Sequence, residues 1–259
     1  TASEETPQWY ERLLRAACCV VTPNKRAASG PLSRCEAIRA AMRGRTKFCY
    51  ETNVGAGLPV LSVLRTLRET GDVIHKIEGT LSGTLSYLFN TYDGARSFTD
   101  LLREAKEKGF TEPDPRDDLS GMDVARKLLI LAREMGLPLE LEEVEIENLV
   151  PEDGRAAPSV EAFFEALRRH DEAFAARHRE ATAQGNVLRY VASIAGGRAS
   201  VRLLSVPRSH PCASLSGSDN LIAFTTARYH TQPLVVRGPG AGAEVTAAGV
   251  LSDILSCSS

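Results

Sequence analysis

Between Gly109 and Lys127 the chain gathers Glu112, Asp114, Asp117, Asp118 and Asp123 with one lysine, Lys127, in a stretch stiffened by Pro113 and Pro115. Carboxylates at this density can hold a cationic substrate group. A lysine beside them can exchange a proton with a reacting oxygen, provided that a partner orients its amine. Asp123 and Lys127 stand four residues apart, hence on one side of a helix. The same spacing also describes an ordinary surface ion pair contributing about 0.3–0.5 kcal/mol, with Asp123 at the positive end of the helix dipole. Spacing alone leaves both readings open.

The flanking residues show how such groups would be held. Two prolines remove backbone donors and restrict φ, so the segment bearing Glu112, Asp114, Asp117 and Asp118 reads as a fixed loop rather than helix or central strand. Ser120 then caps a helix whose buried stripe is Val124, Leu128, Leu131 and Met135, ending near Gly136 and Pro138. Upstream, residues 72–78 read as a strand followed by a small-residue turn and a helix beginning near Leu85, with Ser82 or Thr84 as its cap. A helix over residues 98–108 ends at Gly109 and delivers the acidic loop. Residues 160–183 form a charged amphipathic helix or helix pair. Residues 187–194 and 199–204 form a hairpin around Gly196-Gly197, and residues 221–227 and 233–237 add strands.

The run from Thr111 to Lys127 resembles the signature of homoserine dehydrogenases. Four further blocks resemble the same family and follow its order: Val20 to Lys25, Asn53 to Pro59, Lys76 to Tyr87, and Gly240 to Gly249. The likeness extends over nearly everything beyond about residue 15, and is nearest to the dehydrogenase half of bifunctional aspartokinase–homoserine dehydrogenases. It implies reversible hydride transfer between NAD(P)H and the carbonyl carbon of aspartate 4-semialdehyde, giving homoserine on the route to threonine, methionine and isoleucine. Lys127 would donate the proton and Asp123 would orient substrate and lysine. Glu112 and Asp118 would bind the substrate, with Gly83 and Thr84 beside it. Lys25 would lie by the nicotinamide, and Gly240 and Gly242 would let backbone approach the cofactor. Carbonyl oxygens of Glu51, Val54, Ala56 and Leu58 would hold a monovalent cation such as sodium. Phe110 stands where relatives carry tyrosine, which puts a polar contact there in doubt.

Read without the resemblance, several of these positions are plainer. Lys25, just past a short strand, sits where open α/β sheets bind ligands, yet a surface lysine reads the same way. The glycines at 55, 57, 240 and 242 could equally serve tight turns. His75, His170, His178, His210 and His230 form no catalytic or metal spacing, and His210 reads as structural.

The implied fold class is α/β: a remnant of a Rossmann-type nucleotide-binding domain plus an α+β substrate-binding and dimerisation domain. Residues 1–50 would be the late part of the nucleotide domain, residues 51–237 the catalytic and dimerisation domain, and residues 238–259 a return to the nucleotide domain. No Gly-x-Gly-x-x-Gly opens a strand–turn–helix unit, and the first residue is not methionine, so the portion carrying most cofactor contacts is expected upstream. The ribose-reading position that separates NAD from NADP would lie there too. A module lacking cofactor contacts, an inactive fragment completed by another segment, and an unrelated oxidoreductase on a similar scaffold are the competing classes.

Composition adds limits. With 259 residues, 43% of them hydrophobic, the chain can bury one large or two modest cores. A net charge of −2 gives no electrostatic pull toward nucleic acid or anionic membrane. No apolar run reaches the roughly 20 residues that span a bilayer, and the polar start is no secretion signal. Six cysteines without a CxxC pair read as buried free thiols in a reducing compartment: the cytoplasm, or an organelle stroma if a transit peptide precedes this segment. A homodimer, and an aspartokinase region upstream in the same polypeptide, are the expected partners.

Overall fold

The computed structural model describes residues 3–258; Thr1, Ala2 and Ser259, at the outer ends of the first and last expected segments and within the polar start, lie outside them. The chain runs α1 (Pro7–Arg15), β1 (Val20–Val21), α2 (Leu32–Ala41), β2 (Phe48–Cys49), a 3-10 turn (Glu51–Asn53), α3 (Val60–Glu69), β3 (Ile74–Thr80), α4 (Gly83–Thr91), α5 (Phe98–Glu107), α6 (Pro115–Leu119) and α7 (Met122–Glu134). It continues through β4 (Glu145–Ile146), α8 (Glu152–Arg155), α9 (Val160–Arg168), α10 (Asp171–Ala183), β5 (Asn186–Ala195), β6 (Arg198–Pro207), β7 (Asp219–Thr226), β8 (Leu234–Pro239) and α11 (Ala243–Ser258).

Two sheets organise these elements. β1 and β2 pair in parallel, Val20 opposite Phe48. The other six strands form one sheet in the order β4-β6-β5-β3-β7-β8, antiparallel except where β4 joins β6. Gly196 and Gly197 both adopt positive φ, the two-residue turn that matches strand twist, so the hairpin forms with Ala195 opposite Arg198. One face of the large sheet carries the helices and the main core, where Leu85, Leu88, Phe98, Leu128 and Phe163 are buried. Each such side chain contributes about 1.5–3 kcal/mol by leaving water. The other face holds a smaller cluster around Val191, Cys212, Leu221 and Ala223.

Helix α7 is buried more completely than its stripe suggests, because Leu129, Ile130 and Ala132 are enclosed along with Leu128 and Leu131. It lies between the sheet and residues 28–50. Its end follows the expected rule: Gly136 takes positive φ, and Leu137 N–H reaches back to Ala132 O. Two charged residues in its last turn reach across. Arg133, 2% exposed, donates to the carbonyls of Ala28, Gly30 and Leu139 and to Glu140, whose carboxylate also caps α2 at Leu32 N–H. Glu134 accepts from Arg39, Arg65 and Tyr50.

Three expectations need correction. Residues 115–119 are helical, since Pro115 occupies the first position, where its missing N–H has no partner to lose, and Asp114 caps Arg116 N–H. The cap position of α7 is Gly121 rather than Ser120, whose hydroxyl accepts from Met122 N–H one residue early. Gly121 takes a left-handed φ, and a Cβ there would also lie 2.1 Å from the Tyr190 hydroxyl, so the position calls for glycine on both counts. The thiols are not uniformly buried: Cys18 and Cys19 are exposed at the turn out of α1, whereas Cys35, Cys49 and Cys212 are buried.

Helix α11 packs back onto β1, β2 and the 51–53 turn through a seam where two glycines allow close approach. A Cβ on Gly57 would sit 2.2 Å from Val245 O, and one on Gly249 would sit 2.6 Å from Thr52 Cγ2. Backbone cannot yield as a flexible side chain does. Gly57→Ala is therefore expected to cost about 2–3 kcal/mol and lower Tm by roughly 5–10 °C in a melting scan; an unchanged Tm would mean that the seam opens freely.

Candidate active site

The N-terminal turns of α7 set the first two groups. Asp123 and Lys127 face one way, and Lys127 Nζ donates to Asp123 Oδ2 at 2.9 Å and to Leu81 O at 2.6 Å. Lys127 is 9% exposed, so its amine is held by these two acceptors at a cavity wall. Asp123 also meets Lys25, Nζ to Oδ1 3.2 Å. Burial pushes the Asp123 carboxyl up, but the two ammonium groups outweigh it and bring it down to about 2. It is therefore an anion throughout the working pH range. Lys25 comes from the loop after β1, so this carboxylate joins the β1 side to α7.

The acidic segment supplies the opposite wall. Asp118, on α6, accepts from Glu112 N–H through Oδ2 and from Thr84 Oγ1 through Oδ1, each at 2.8 Å. Thr84 Oγ1 also lies 2.7 Å from Phe110 O. A hydroxyl has one proton, so these two acceptors compete for it. Burial raises the Asp118 carboxyl, with Glu112 and Asp117 nearby adding to the rise against its hydrogen bonds. Ser82 caps α4 by accepting from Leu85 N–H, which frees Thr84 for this contact. Phe110 stacks on Tyr87, ring centroids 4.5 Å apart, and closes one side.

Together these residues line a cavity of about 310 Å³ whose wall includes Gly83, Thr84, Phe110, Glu112, Asp118, Asp123, Lys127, Ser218 and Gly240. The other two carboxylates of the acidic stretch go elsewhere. Asp114 turns onto Arg116, and Asp117 lines a neighbouring cavity with Lys25 and Arg126 on the far side of Asp123. Gly240 touches the wall because it has no Cβ, which would fall 1.9 Å from the Asn220 amide; Gly242 follows with φ +126°, one residue outside the lining. His210 pairs with Glu78 at 3.1 Å, away from the cavity. Glu51, Val54, Ala56 and Leu58 belong to the turn beneath α11 and α3. There the Glu51 carboxylate accepts from Leu61 and Ser62 N–H, capping α3 where Pro59 cannot, while Gly55 and Ala56 take successive positive φ values.

Three contributions to the site went unread in the sequence. The Leu81 carbonyl has no residue-type signature, because any side chain could precede it. Ser218 and Pro239 flank the β7–β8 pair, and only the pairing of Asp219 with Pro239 brings them to the cavity.

A small cavity lined by the Glu112 and Asp118 carboxylates and by the Lys127 ammonium matches a substrate with both a cationic group and a reacting oxygen. A mixed α/β fold with such a cavity does not by itself name an activity. The comparisons with known proteins make the class specific. The homoserine dehydrogenase family model matches residues 59–255. A chloroplastic bifunctional aspartokinase/homoserine dehydrogenase 1 from Zea mays is 53% identical over 262 residues, covering 100% of this chain and 28% of its own length. The homoserine dehydrogenase of Schizosaccharomyces pombe is 46% identical over 264 residues, covering 98% of this chain and 70% of its own. Among solved structures, a Candida auris protein titled as of unknown function superposes with TM-score 0.95 at 40% identity, with 100% of this chain and 74% of that one covered. A putative homoserine dehydrogenase from Archaeoglobus fulgidus gives 0.76 at 27% identity, with 97% and 71% covered. This chain belongs to the homoserine dehydrogenase family, and it spans little more than a quarter of the length of its bifunctional relatives.

Proposed function

We propose that these residues form the substrate-binding part of an enzyme that reversibly reduces L-aspartate 4-semialdehyde to L-homoserine with NAD(P)H. The observation that carries the reading is the Lys127 amine, held by Leu81 O and Asp123 on a cavity it shares with Glu112 and Asp118. Glu112 and Asp118 bind the substrate ammonium through charge-assisted hydrogen bonds. That leaves the aldehyde oxygen toward Lys127. Lys127 Nζ gives its proton to this oxygen as the alcohol forms, and takes it back in the reverse direction. Asp123 keeps the amine aimed and, with Lys25, sets the local charge.

The residues present suit the nicotinamide end of a dinucleotide. Gly240 brings bare backbone to the wall, a Cβ there being blocked by Asn220, and Lys25 stands on the adjoining side. When bound, the cofactor supplies or accepts the hydride at the substrate carbonyl carbon. Two relatives at the level of fold are titled as NADPH complexes, and we carry that cofactor class over to this chain, with Lys25, Gly240 and Gly242 as its contacts. The carbonyls of Glu51, Val54, Ala56 and Leu58 are proposed as a sodium site, since two successive left-handed residues turn main-chain oxygens around this bend. We extend the reading to a homodimer and to an aspartokinase region in the same polypeptide, as named for the bifunctional relatives. Several plant relatives are named chloroplastic, and no helix among the described residues is long and apolar enough to cross a membrane, so a stroma or the cytoplasm is the proposed setting.

The test is homoserine oxidation followed by NADPH or NADH formation in the full-length enzyme. Asp118→Asn should raise the homoserine KM about 10-fold or more while kcat changes less, because one binding charge is lost and the proton path is not. No homoserine-dependent turnover in the wild type would overturn the assignment.

A further inference from the structure

The active site uses none of the six cysteines, yet three of them meet at the end of α11. Cys49 Sγ, on β2, lies 3.7 Å from Cys257 Sγ, on the last turn of α11, although 208 residues separate them in sequence. Cys19, which precedes β1, approaches Cys257 as well. Cys49 is buried, Cys257 is partly exposed and Cys19 is exposed. The last turn is held in place by Lys47 Nζ donating to Ser256 O and, one turn earlier, by Asp253 accepting from Glu51 N–H at 3.0 Å. The thiols are thus brought together by a fixed helix rather than by a chance tail contact.

We propose that Cys49 and Cys257 form a thiol-oxidation site that fastens α11 covalently to β2. The oxidant is a low-molecular-weight disulfide, RSSR. The Cys257 thiolate, reachable from solvent, attacks one sulfur; the RS–SR bond breaks and one RS⁻ leaves. The shielded Cys49 thiolate then attacks the Cys257 sulfur of the mixed disulfide and displaces the second RS⁻. Both thiol protons pass to the leaving thiolates, so the two cysteines lose two electrons and RSSR becomes two RSH. Burial, with Cys49 and Cys19 beside it, pushes the Cys257 thiol up to about 12, so Cys257 rests as a thiol and reacts slowly. The bond would matter beyond the helix end, because α11 continues from the Gly240–Ala241 wall of the cavity and clasps the Gly57 turn.

The full-length enzyme is incubated natively with oxidised glutathione, acid-quenched, alkylated and mapped without reduction. The expected product is a peptide linking Cys49 to Cys257, with the intact mass lower by two hydrogen atoms. It should persist in Cys19→Ser and vanish in Cys257→Ser. In Cys49→Ser a glutathione adduct should accumulate on Cys257, for want of the second thiol. The linked form should also melt at least about 5 °C higher, because closing so long a loop restricts the unfolded chain. Linkage of Cys257 to Cys19 in the wild type, or glutathione adducts without any Cys49–Cys257 peptide, would overturn the proposal.

Discussion

Lys127→Ala in the full-length enzyme should lower kcat by about 10²–10⁴-fold while shifting the homoserine KM only a few-fold, the range expected for loss of a positioned proton donor. The charges proposed to bind substrate, Glu112 and Asp118, stay in place, so ground-state binding should survive. The fold should survive as well: Asp123 keeps Lys25, and the Leu81 carbonyl loses one hydrogen bond, a cost of about 1–3 kcal/mol. A second variant separates proton transfer from charge. Lys127→Arg preserves the cation but places there a guanidinium that does not give up its proton, so it should remain close to the alanine variant in kcat. Recovery by arginine would assign Lys127 an electrostatic role instead, and turnover equal to wild type in the alanine variant would remove it from the reaction.

Glu134→Ala is expected to cost about 3–5 kcal/mol, the usual consequence of removing one partner from a buried ion cluster. Glu134 is 5% exposed, and its carboxylate is shared by Arg39, Arg65 and the Tyr50 hydroxyl, while Arg68 takes its backbone carbonyl. Deleting it takes the carboxylate from Arg65 and the Tyr50 hydroxyl and leaves Arg39 only its longer contacts to Arg133 O. A fall in Tm of roughly 10 °C or more, read by calorimetry, is the expected result, and a change below a few degrees would contradict it. The same cluster sets a pH dependence. Burial pushes the Glu134 carboxyl up, but Arg65, Tyr50 and Arg39 pull it below its ordinary value. A carboxyl depressed in the fold contributes stability above its unfolded pKa of about 4.3, and that contribution is lost as pH falls through the folded value. In the alanine variant the stability profile should be flatter below about pH 4.3 than in the wild type.

The parts of this molecule that could be read in advance share one property: their signal is local. The spacing of Val124, Leu128 and Leu131, the Gly196-Gly197 turn and the Gly136 stop are each decided within a few residues. What escaped depends on contacts between distant segments. The order β4-β6-β5-β3-β7-β8 places strands beside partners that no periodicity names. Arg39, Arg65 and Glu134 look like solvated helix faces until α2, α3 and α7 are brought together around Tyr50. Helix α6 was missed for a local reason instead, since Pro115 was weighed as a helix breaker when its first-turn position makes it a helix starter. At the site, side chains announced themselves by type, whereas the Leu81 carbonyl that fixes Lys127 could not.

The fastening of α7 at its far end has a mechanical corollary. Arg133 Nη1 grips the carbonyls of Ala28 and Gly30, and the same segment is tied to α7 again by the Lys25–Asp123 ion pair. Ten residues of helix separate the two attachments, a lever arm of about 15 Å. A tilt of roughly 5° about the arginine end would then carry Lys25 and Asp123 apart by about 1 Å. In such a tilt the arginine end would stay closed while the Lys25–Asp123 end parted.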